Sequence, residues 1–415
     1  MELPGATFYR GDSMAAVSRT DKHILVVSGR DASVVRLRGL PIEVTLIQTA
    51  DFITRAQINA ADRVFVLDLA DRELVKRLIV ALHTLRPISA VMCILEPFLV
   101  TAGHLRDMLN ATGFSEKAAA LTKNKILMRA QLEKSDLPKV KWKEARNSAD
   151  IVSALSEIGS PLIVKPADGW ASIDVSLLWD QSEAQKAFNK AAAGGGGVIV
   201  EEFIDGPEFS VEGISRRGHH EILAVTRKTT TGPPNFVEIG HVQPSGLATR
   251  IVNRIEVVVC ELLDHMGVEF GPSHTEIRVK NDEPFIIETH TRHGADRIWE
   301  LTEFTTGVSI QRTTACYLLE LDPPGRRPVA PAAAVRFLTA EPGIVINIEA
   351  PARFDLPDEV IRLVIEVKPG DTVKELVSSF SRCGYVLTVG NSAEDAQKLA
   401  EEVASRVRIN TAKTM

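Results

Sequence analysis

Residues 271–297 read Gly271-Pro-Ser-His274-Thr-Glu276-Ile-Arg278-Val-Lys280-Asn-Asp-Glu283-Pro-Phe-Ile-Ile-Glu288-Thr-His290-Thr-Arg292-His-Gly-Ala-Asp-Arg297. Two runs of strand-forming residues flank Lys280-Asn281-Asp282-Glu283, the composition of a tight hairpin turn. Paired across that turn, Glu276 and Glu288 face one point in space. Two carboxylates held in this way are a platform for magnesium, which is normally bound by one or two carboxylates together with the phosphate oxygens of a substrate. The pair makes sense beneath a nucleotide, and the lysines that a nucleotide needs must come from upstream.

Working outward, Glu116 to Ser135 reads as one helix carrying Lys123 and Lys125. Ser148 reads as the cap of an amphipathic helix that turns Ile151 to Leu155 inward. The apolar run Pro161 to Val164 then ends in Lys165, ahead of the loop Pro166-Ala-Asp-Gly169-Trp-Ala-Ser172. A lysine at the end of a buried strand is either a solvated end cap or a phosphate ligand. Gly194 to Gly197 has the look of a phosphate loop, but no Lys-Ser or Lys-Thr follows and no helix opens there, so it reads as a plain connection. It leads into Val198-Ile-Val-Glu201-Glu202-Phe203-Ile204-Asp-Gly206-Pro-Glu208-Phe-Ser-Val-Glu212.

On the N-terminal side, the apolar runs Ile24–Val27, Val44–Ile47, Val64–Leu67 and Ala90–Leu95 alternate with helical patterns such as Arg72–Leu85, which predicts a parallel sheet with crossover helices. Its first strand ends in Ser28-Gly29-Arg30-Asp31 and lacks Gly-x-Gly-x-x-Gly, which argues against dinucleotide binding. Glu96 follows the last of these runs, at the carboxyl edge where ligands of open α/β sheets collect, and reads equally as a solvated loop residue. On the C-terminal side, strands are expected over Ala332–Thr339, Gly343–Glu349, Leu363–Val367 and Tyr385–Val389, then a helix capped by Ser392 with Asp395 three residues on. The fold class is α/β, in three parts: a Rossmann-like domain over 1–114, a central domain over 115–325 and a small α+β domain over 326–415.

Composition excludes several classes. The chain has 415 residues, 45 % hydrophobic and 25 % charged, and a net charge of −6, so it carries no basic footprint for nucleic acid. Its four cysteines, Cys93, Cys260, Cys316 and Cys383, lie far apart with no Cys-x-x-Cys spacing, which fits a reducing cytoplasm better than a disulfide framework or a zinc site. No basic segment followed by an apolar run opens the chain, and no later run approaches the roughly 18 apolar residues of a membrane span. Secretion and membrane anchoring are not expected.

The order of these features, a helix lysine, a strand lysine with a small-residue loop, a Val-Glu-Glu-Phe-Ile-x-Gly-x-Glu hinge and paired glutamates ending in Glu-x-x-x-Arg, resembles the ATP-grasp superfamily of carboxylate-amine ligases. Within it, Thr226-Arg-Lys228 and Gly232-Pro-Pro-Asn-Phe-Val-Glu238-Ile-Gly-His241-Val-Gln-Pro244 are similar to the L-amino acid ligases that make dipeptides. The resemblance implies an ATP-grasp fold and ATP with Mg²⁺ or Mn²⁺ as cofactors. It further implies small carboxylate and amine substrates, amino acids first among them, and a homodimer. Lys125, Lys165 and Lys228 would hold phosphates, with Ser172 in the loop beside them. Glu201, Glu202, Phe203 and Ile204 would meet the adenine edge, and Glu208 the ribose hydroxyls. Glu238, Glu276, Glu288 and His290 would surround the metal ions, and Arg292 and His241 would act on the substrate, with Lys228.

Two departures stand out. His290 takes the place where the family usually has an asparagine, and imidazole is a poorer ligand for a hard cation. The loop after Lys165 holds less glycine than usual. A zinc site from His274, His290 and His293 would have no cysteine to join it. Other readings are a ligase for non-amino-acid carboxylates, including purine-pathway or carbamoyl-type chemistry, and an ATP-binding protein without catalysis.

Overall fold

The computed structural model describes residues 6–171 and 173–413 apart from 11–20, so Ser172 lies outside the described residues. Four sheets organise the described residues. The first has five strands in the order Thr7–Arg10, Arg63–Val66, Glu43–Gln48, His23–Val27, Ala90–Met92; the last four run parallel and Thr7–Arg10 runs antiparallel at the edge. The central strands His23–Val27 and Glu43–Gln48 are buried along their whole length, as expected of a parallel sheet covered on both faces. The expected run to Leu95 stops at Met92, and Glu96 opens a short 3-10 turn, Glu96–Phe98.

A four-stranded antiparallel sheet follows, in the order Trp142–Ala145, Val198–Glu202, Leu162–Pro166, Ser176–Leu178. The helices Ser148–Glu157 and Ala184–Ala192 cover one face of it through Ile151, Ala154, Ala187 and Ala191. The cap of the first of these helices is Asn147 and not Ser148. Asn147 accepts from the backbone of Ala149 and Asp150 while Asp150 reaches back to it, a reciprocal capping box.

The largest sheet has eight antiparallel strands: Glu283–His290, Phe270–Lys280, Glu208–Arg216, His219–Thr230, Glu238–Gln243, Ala332–Leu338, Gly384–Gly390 and Val360–Ile365. Strands from 208–290 and from 332–390 thus share one hydrogen-bonded ladder. The helix Thr249–Met266 lays Ile255, Val258, Val259, Leu262 and Leu263 against this sheet and ends at Gly267 in the left-handed conformation. A small fourth sheet joins Thr372–Val373, Gly343–Glu349 and Arg408–Ala412. The strand Arg408–Ala412 follows the final helix Ala393–Ser405 and was not expected, because its alternation of exposed and half-buried residues leaves no apolar run to read.

Among the described residues, no helix is long and apolar enough to cross a membrane.

Candidate functional site

A cavity of about 1030 Å³ opens between the four-stranded and eight-stranded sheets and reaches the carboxyl edge of the parallel sheet. Lys125, Lys165, Glu201, Glu276, Glu288 and Arg292 all line it. That volume is at the upper end of the range for small-molecule sites.

The hairpin that carries two of the acids forms as its sequence suggests. Lys280 pairs with Glu283 across a two-residue loop, Asn281 and Asp282, both at positive φ (53° and 64°). Two left-handed residues match the twist of the flanking strands. Glu276 and Glu288 stand directly opposite each other. A bulge at Ile287 makes this work: Ile277 pairs with Ile286, so Ile286 is buried in the core while Glu288, two residues on, turns to the cavity. Along Phe270–Lys280 the two-residue period does the same, with His274, Glu276 and Arg278 facing the cavity and Ile277 and Val279 facing the helix Thr249–Met266.

The acids do not gather around one point as expected. Glu208, Glu238 and Glu276 offer carboxylate oxygens that lie within 4.8 Å of one another. Lys228 Nζ sits at the centre of that triangle, 2.7 Å from Glu208, 2.9 Å from Glu238 and 2.8 Å from Glu276, with its side chain 1 % exposed. Lys228 therefore clamps carboxylates from behind and is not presented to the cavity as a phosphate contact. Glu208, expected at the ribose, belongs to this triad and also accepts from Arg278 Nη2 at 3.0 Å. Burial disfavours the charge on Lys228, yet the three carboxylates outweigh it and raise its pKa. Burial and the neighbouring Asp296 and Glu276 carboxylates raise Glu238 in spite of Lys228.

Glu288 is held on the other side. Its Oε2 takes the Lys125 ammonium at 2.8 Å and its Oε1 the His290 Nε2 at 3.3 Å. Burial works against the Glu288 charge, but Lys125 and His290 overcome it and hold its carboxyl well below the usual range. His290 thus backs a carboxylate with the nitrogen that would otherwise reach a metal, and its Nδ1 is buried without a hydrogen-bond partner among the described residues.

Lys125 owes its position to a break that the sequence did not display. Two helices, Glu116–Lys123 and Lys125–Leu132, replace the single expected one. Asn124 leaves the helical conformation and caps the second by accepting from Ile126 and Leu127. Lys125 N–H donates to Ala167 at 2.8 Å and its Nζ to Gly169 at 2.8 Å, which ties the loop after Lys165 to this helix.

Lys165 is no solvated end cap. It is buried, and its Nζ meets Glu201 Oε2 at 2.6 Å while Arg129 Nε takes Oε1 at 2.6 Å. Burial raises the Glu201 carboxyl, but Arg129 and Lys165 bring it down to about 2. The Glu201 side chain therefore serves cations and not the base edge, and Glu202 accepts from the Lys141 N–H at 2.7 Å. What remains for a base is backbone and apolar surface. The Ile204 N–H makes no hydrogen bond among the described residues, and the Phe203 ring stands 6.1 Å from Phe236 with the Arg278 guanidinium over both. Gly206 lets this hinge pass close to the eight-stranded sheet, since a Cβ there would lie 2.1 Å from the Val279 carbonyl oxygen.

Arg292 donates to Glu96 Oε2 through Nε and Nη2, at 3.1 and 2.6 Å. Glu96 thereby joins the site from the parallel sheet, and it is 6 % exposed. Burial opposes its charge, and His290 with Arg292 lowers its pKa all the same. His274 accepts the same kind of support: burial alone would make it less basic, but Glu212, 2.5 Å away, raises it to about 9 and keeps it an imidazolium beside Glu276.

His241 lines the cavity wholly buried, and burial lowers its pKa to about 3. Asp296, Arg382 and Ser379 surround that end, with Ser379 Oγ donating to Glu238 Oε2 at 3.0 Å. Sequence reading missed Arg129, Asp296, Ser379 and Arg382. Only Asp296, four residues past Arg292, carried a signal of position.

Comparison with known proteins agrees with the fold. Residues 158–300 match the family model described as ATP-grasp domain, and residues 336–412 match that of L-amino acid ligase C-terminal domain 2. The alanine–anticapsin ligase of Bacillus subtilis (strain 168) is 29 % identical over 222 residues, 48 % of this chain and 47 % of that protein, so the chain spans about half the length of that relative. The crystal structure of an L-amino acid ligase from Bacillus licheniformis is similar with a TM-score of 0.80 and 23 % identity, covering 96 % of this chain and 100 % of that one. The biotin carboxylase domain of the 2-oxoglutarate carboxylase of Hydrogenobacter thermophilus, solved with MgADP and bicarbonate, has a TM-score of 0.70 and 16 % identity over 93 % of this chain and 90 % of that one. The chain thus carries a match to the ATP-grasp domain and shares its fold with a solved L-amino acid ligase, so its likeness runs to the ATP-grasp ligases and, among them, to the L-amino acid ligases.

Proposed function

We propose that this protein is an ATP-dependent ligase that joins the carboxylate of one amino acid to the amine of another through an acyl phosphate. The observation that carries the reading is one cavity lined by the ammonium groups of Lys125 and Lys165 and by the carboxylates of Glu276 and Glu288, with the Arg292 guanidinium beside them. A triphosphate needs both kinds of group: ammonium groups for its oxygens and carboxylates for its counter-ions.

The donor set fits magnesium. Glu276 and Glu288 are hard oxygen donors, and Glu276 meets Lys228 and His274 through the single oxygen Oε1. Three carboxylates around one ammonium leave negative charge in excess, which a divalent ion would offset. Glu276 and Glu288 would hold the ion, which when bound neutralises phosphate charge during transfer. His290 then orients Glu288, and Lys228 keeps Glu276 ionised and in place.

In the first step a carboxylate oxygen attacks the γ-phosphorus, the bond to the β-phosphate oxygen breaks and ADP leaves. Arg292 holds the attacking carboxylate, exchanging Glu96 for the substrate, because its fork donates two parallel hydrogen bonds. In the second step the amine nitrogen attacks the carbonyl carbon, the bond to the phosphate oxygen breaks, and phosphate and a proton are released. The backbone of Ile204 and the Phe203 ring receive the base. Closure of the surrounding loops excludes water from the acyl phosphate.

The test is ADP and phosphate release against a panel of amino acids singly and in pairs, with bicarbonate and simple carboxylates as further arms. Release that requires two amino acids is expected. Glu288→Gln and Arg292→Ala each lower turnover by about 100-fold or more, the scale seen when a group that stabilises developing charge is removed. Near-normal turnover in either variant removes that residue from the chemistry. Activity with bicarbonate alone, in line with the fold neighbour solved with that ion, replaces amino acids as the carboxylate.

A further inference from the structure

Three buried charges stand where the helix Lys125–Leu132 meets the four-stranded sheet. Glu201 takes Arg129 Nε on Oε1 and Lys165 Nζ on Oε2, each at 2.6 Å, and the three residues are between 2 and 6 % exposed. Two cations share one carboxylate, so the group carries one positive charge in excess. Lys125 does not offset it, being a cation itself and matched by Glu288 at 2.8 Å. Burial lowers the Lys165 pKa in spite of Glu201, and Lys125 and Arg129 lower it further. A buried surplus of this kind is costly unless something anionic meets it.

The two cations are not placed alike. Lys165 lines the cavity, and Arg129 does not. Lys165 carries its charge on a flexible stem, with Glu201 as its ion-pair partner. Arg129 has a second anchor: its Nη2 donates to the Ile287 carbonyl at 3.4 Å, at the bulge beside Glu288. Its fork therefore ties Glu201 to the eight-stranded sheet. One cation is free to turn toward the cavity, and the other is fixed.

Resting on the ligase reading above, we propose that Arg129 is a positioning residue, the fixed counter-ion of Glu201 that lets Lys165 pass from this carboxylate to a nucleotide phosphate. As Lys165 Nζ turns to a phosphate oxygen, Glu201 keeps Arg129 and no buried carboxylate is stranded. The surplus positive charge is met by the phosphate in the same movement. Only partners are exchanged, and Lys165 keeps its proton. Without Arg129 the turn would leave Glu201 bare, so Lys165 would stay with it.

The exchange predicts a rescue. The readout is the Kd for ATP with magnesium by calorimetry, with circular dichroism as the check on folding. Arg129→Met weakens ATP binding by about 100-fold, the scale expected when one member of a buried ion pair is stranded. Adding Glu201→Gln removes the charge that would be stranded, so the double variant binds ATP within about 10-fold of wild type. Arg129→Lys, which keeps a cation beside Glu201, does the same. Packing alone predicts the reverse order, because the double variant then loses more buried contacts than the single one. A double variant no better than Arg129→Met overturns the proposal, as does wild-type affinity in Arg129→Met. Where Arg129→Met does not fold, the double variant is set against wild type directly, and a loss of about 100-fold there overturns it. The rescue in a protein that releases no ADP with any amino acid overturns the ligase reading alone. Wild-type protein that binds no ATP overturns both.

Discussion

Lys228 is the residue on which the acidic wall depends, since its ammonium is the shared partner of Glu208, Glu238 and Glu276. Replacing it by methionine leaves carboxylates from three strands facing one another without their shared counter-charge, with Arg278 beside Glu208 and His274 beside Glu276 as the remaining cations. Removal of one partner from a buried ionic cluster costs about 3–5 kcal/mol, and chemical denaturation of Lys228→Met at neutral pH measures it. With the ammonium gone, burial and mutual repulsion disfavour the ionised form of the cluster, so the variant recovers stability as pH falls and the cluster takes up protons. A variant equally unstable at every pH would show that charge is not the cause. Glu201 has the opposite sign. Its folded carboxyl lies at about 2 against an ordinary 4.5, so its contribution is complete above 4.5 and is lost as pH falls from there to about 2. Glu201→Gln flattens the stability profile across that window. Glu276 and Glu288 were legible because strand period and a turn place them without knowledge of anything distant. Glu96 was legible only as one of two even readings and Arg382 not at all, since their partners Arg292 and Asp296 lie 196 and 86 residues away in the chain.

At the level of elements, local chemistry was readable where it needs only a few neighbours. The Asn281-Asp282 turn, the strand that carries Lys165 near its end and the Ser392 cap with Asp395 were of this kind, and the structure contains all three, the strand running to Pro166. The bulge at Ile287 and the break at Asn124 are consequences of packing, and a helix-forming sequence such as Glu116–Ser135 does not announce where tertiary contacts interrupt it. Asn124 is a cap whose loss is measurable. Asn124→Ala is expected to cost about 1 kcal/mol in thermal unfolding. It also lets Lys125 drift from Glu288, so the KM for ATP rises more than the KM for either amino acid. Equal rises in all three would mean that the cap supports the fold generally and not the nucleotide wall.

Across the whole molecule, the site draws on the parallel sheet through Glu96, on the four-stranded sheet through Lys165 and on the eight-stranded sheet through Glu276 and Glu288. A ligand that touches all three stabilises them together. At a nucleotide concentration about 100 times its Kd the gain is about 2.7 kcal/mol, visible as a rise in Tm. ATP with magnesium is expected to give that rise, and EDTA to remove most of it; a Tm indifferent to both would count against the nucleotide site itself. The loops at the mouth meet as well, with the Trp170 and Phe380 rings 5.5 Å apart and nearly perpendicular.

The unbroken ladder from Glu283–His290 to Val360–Ile365 has a mechanical result. A plate knitted edge to edge by backbone hydrogen bonds has no pivot, so Glu208, Glu238, Glu276 and Glu288 travel as one anvil. On the proposed function, admission and discharge of cargo fall to the smaller jaw, which joins the plate through residues 133–141 and 203–207. Stiffening those short straps slows opening without altering what is gripped.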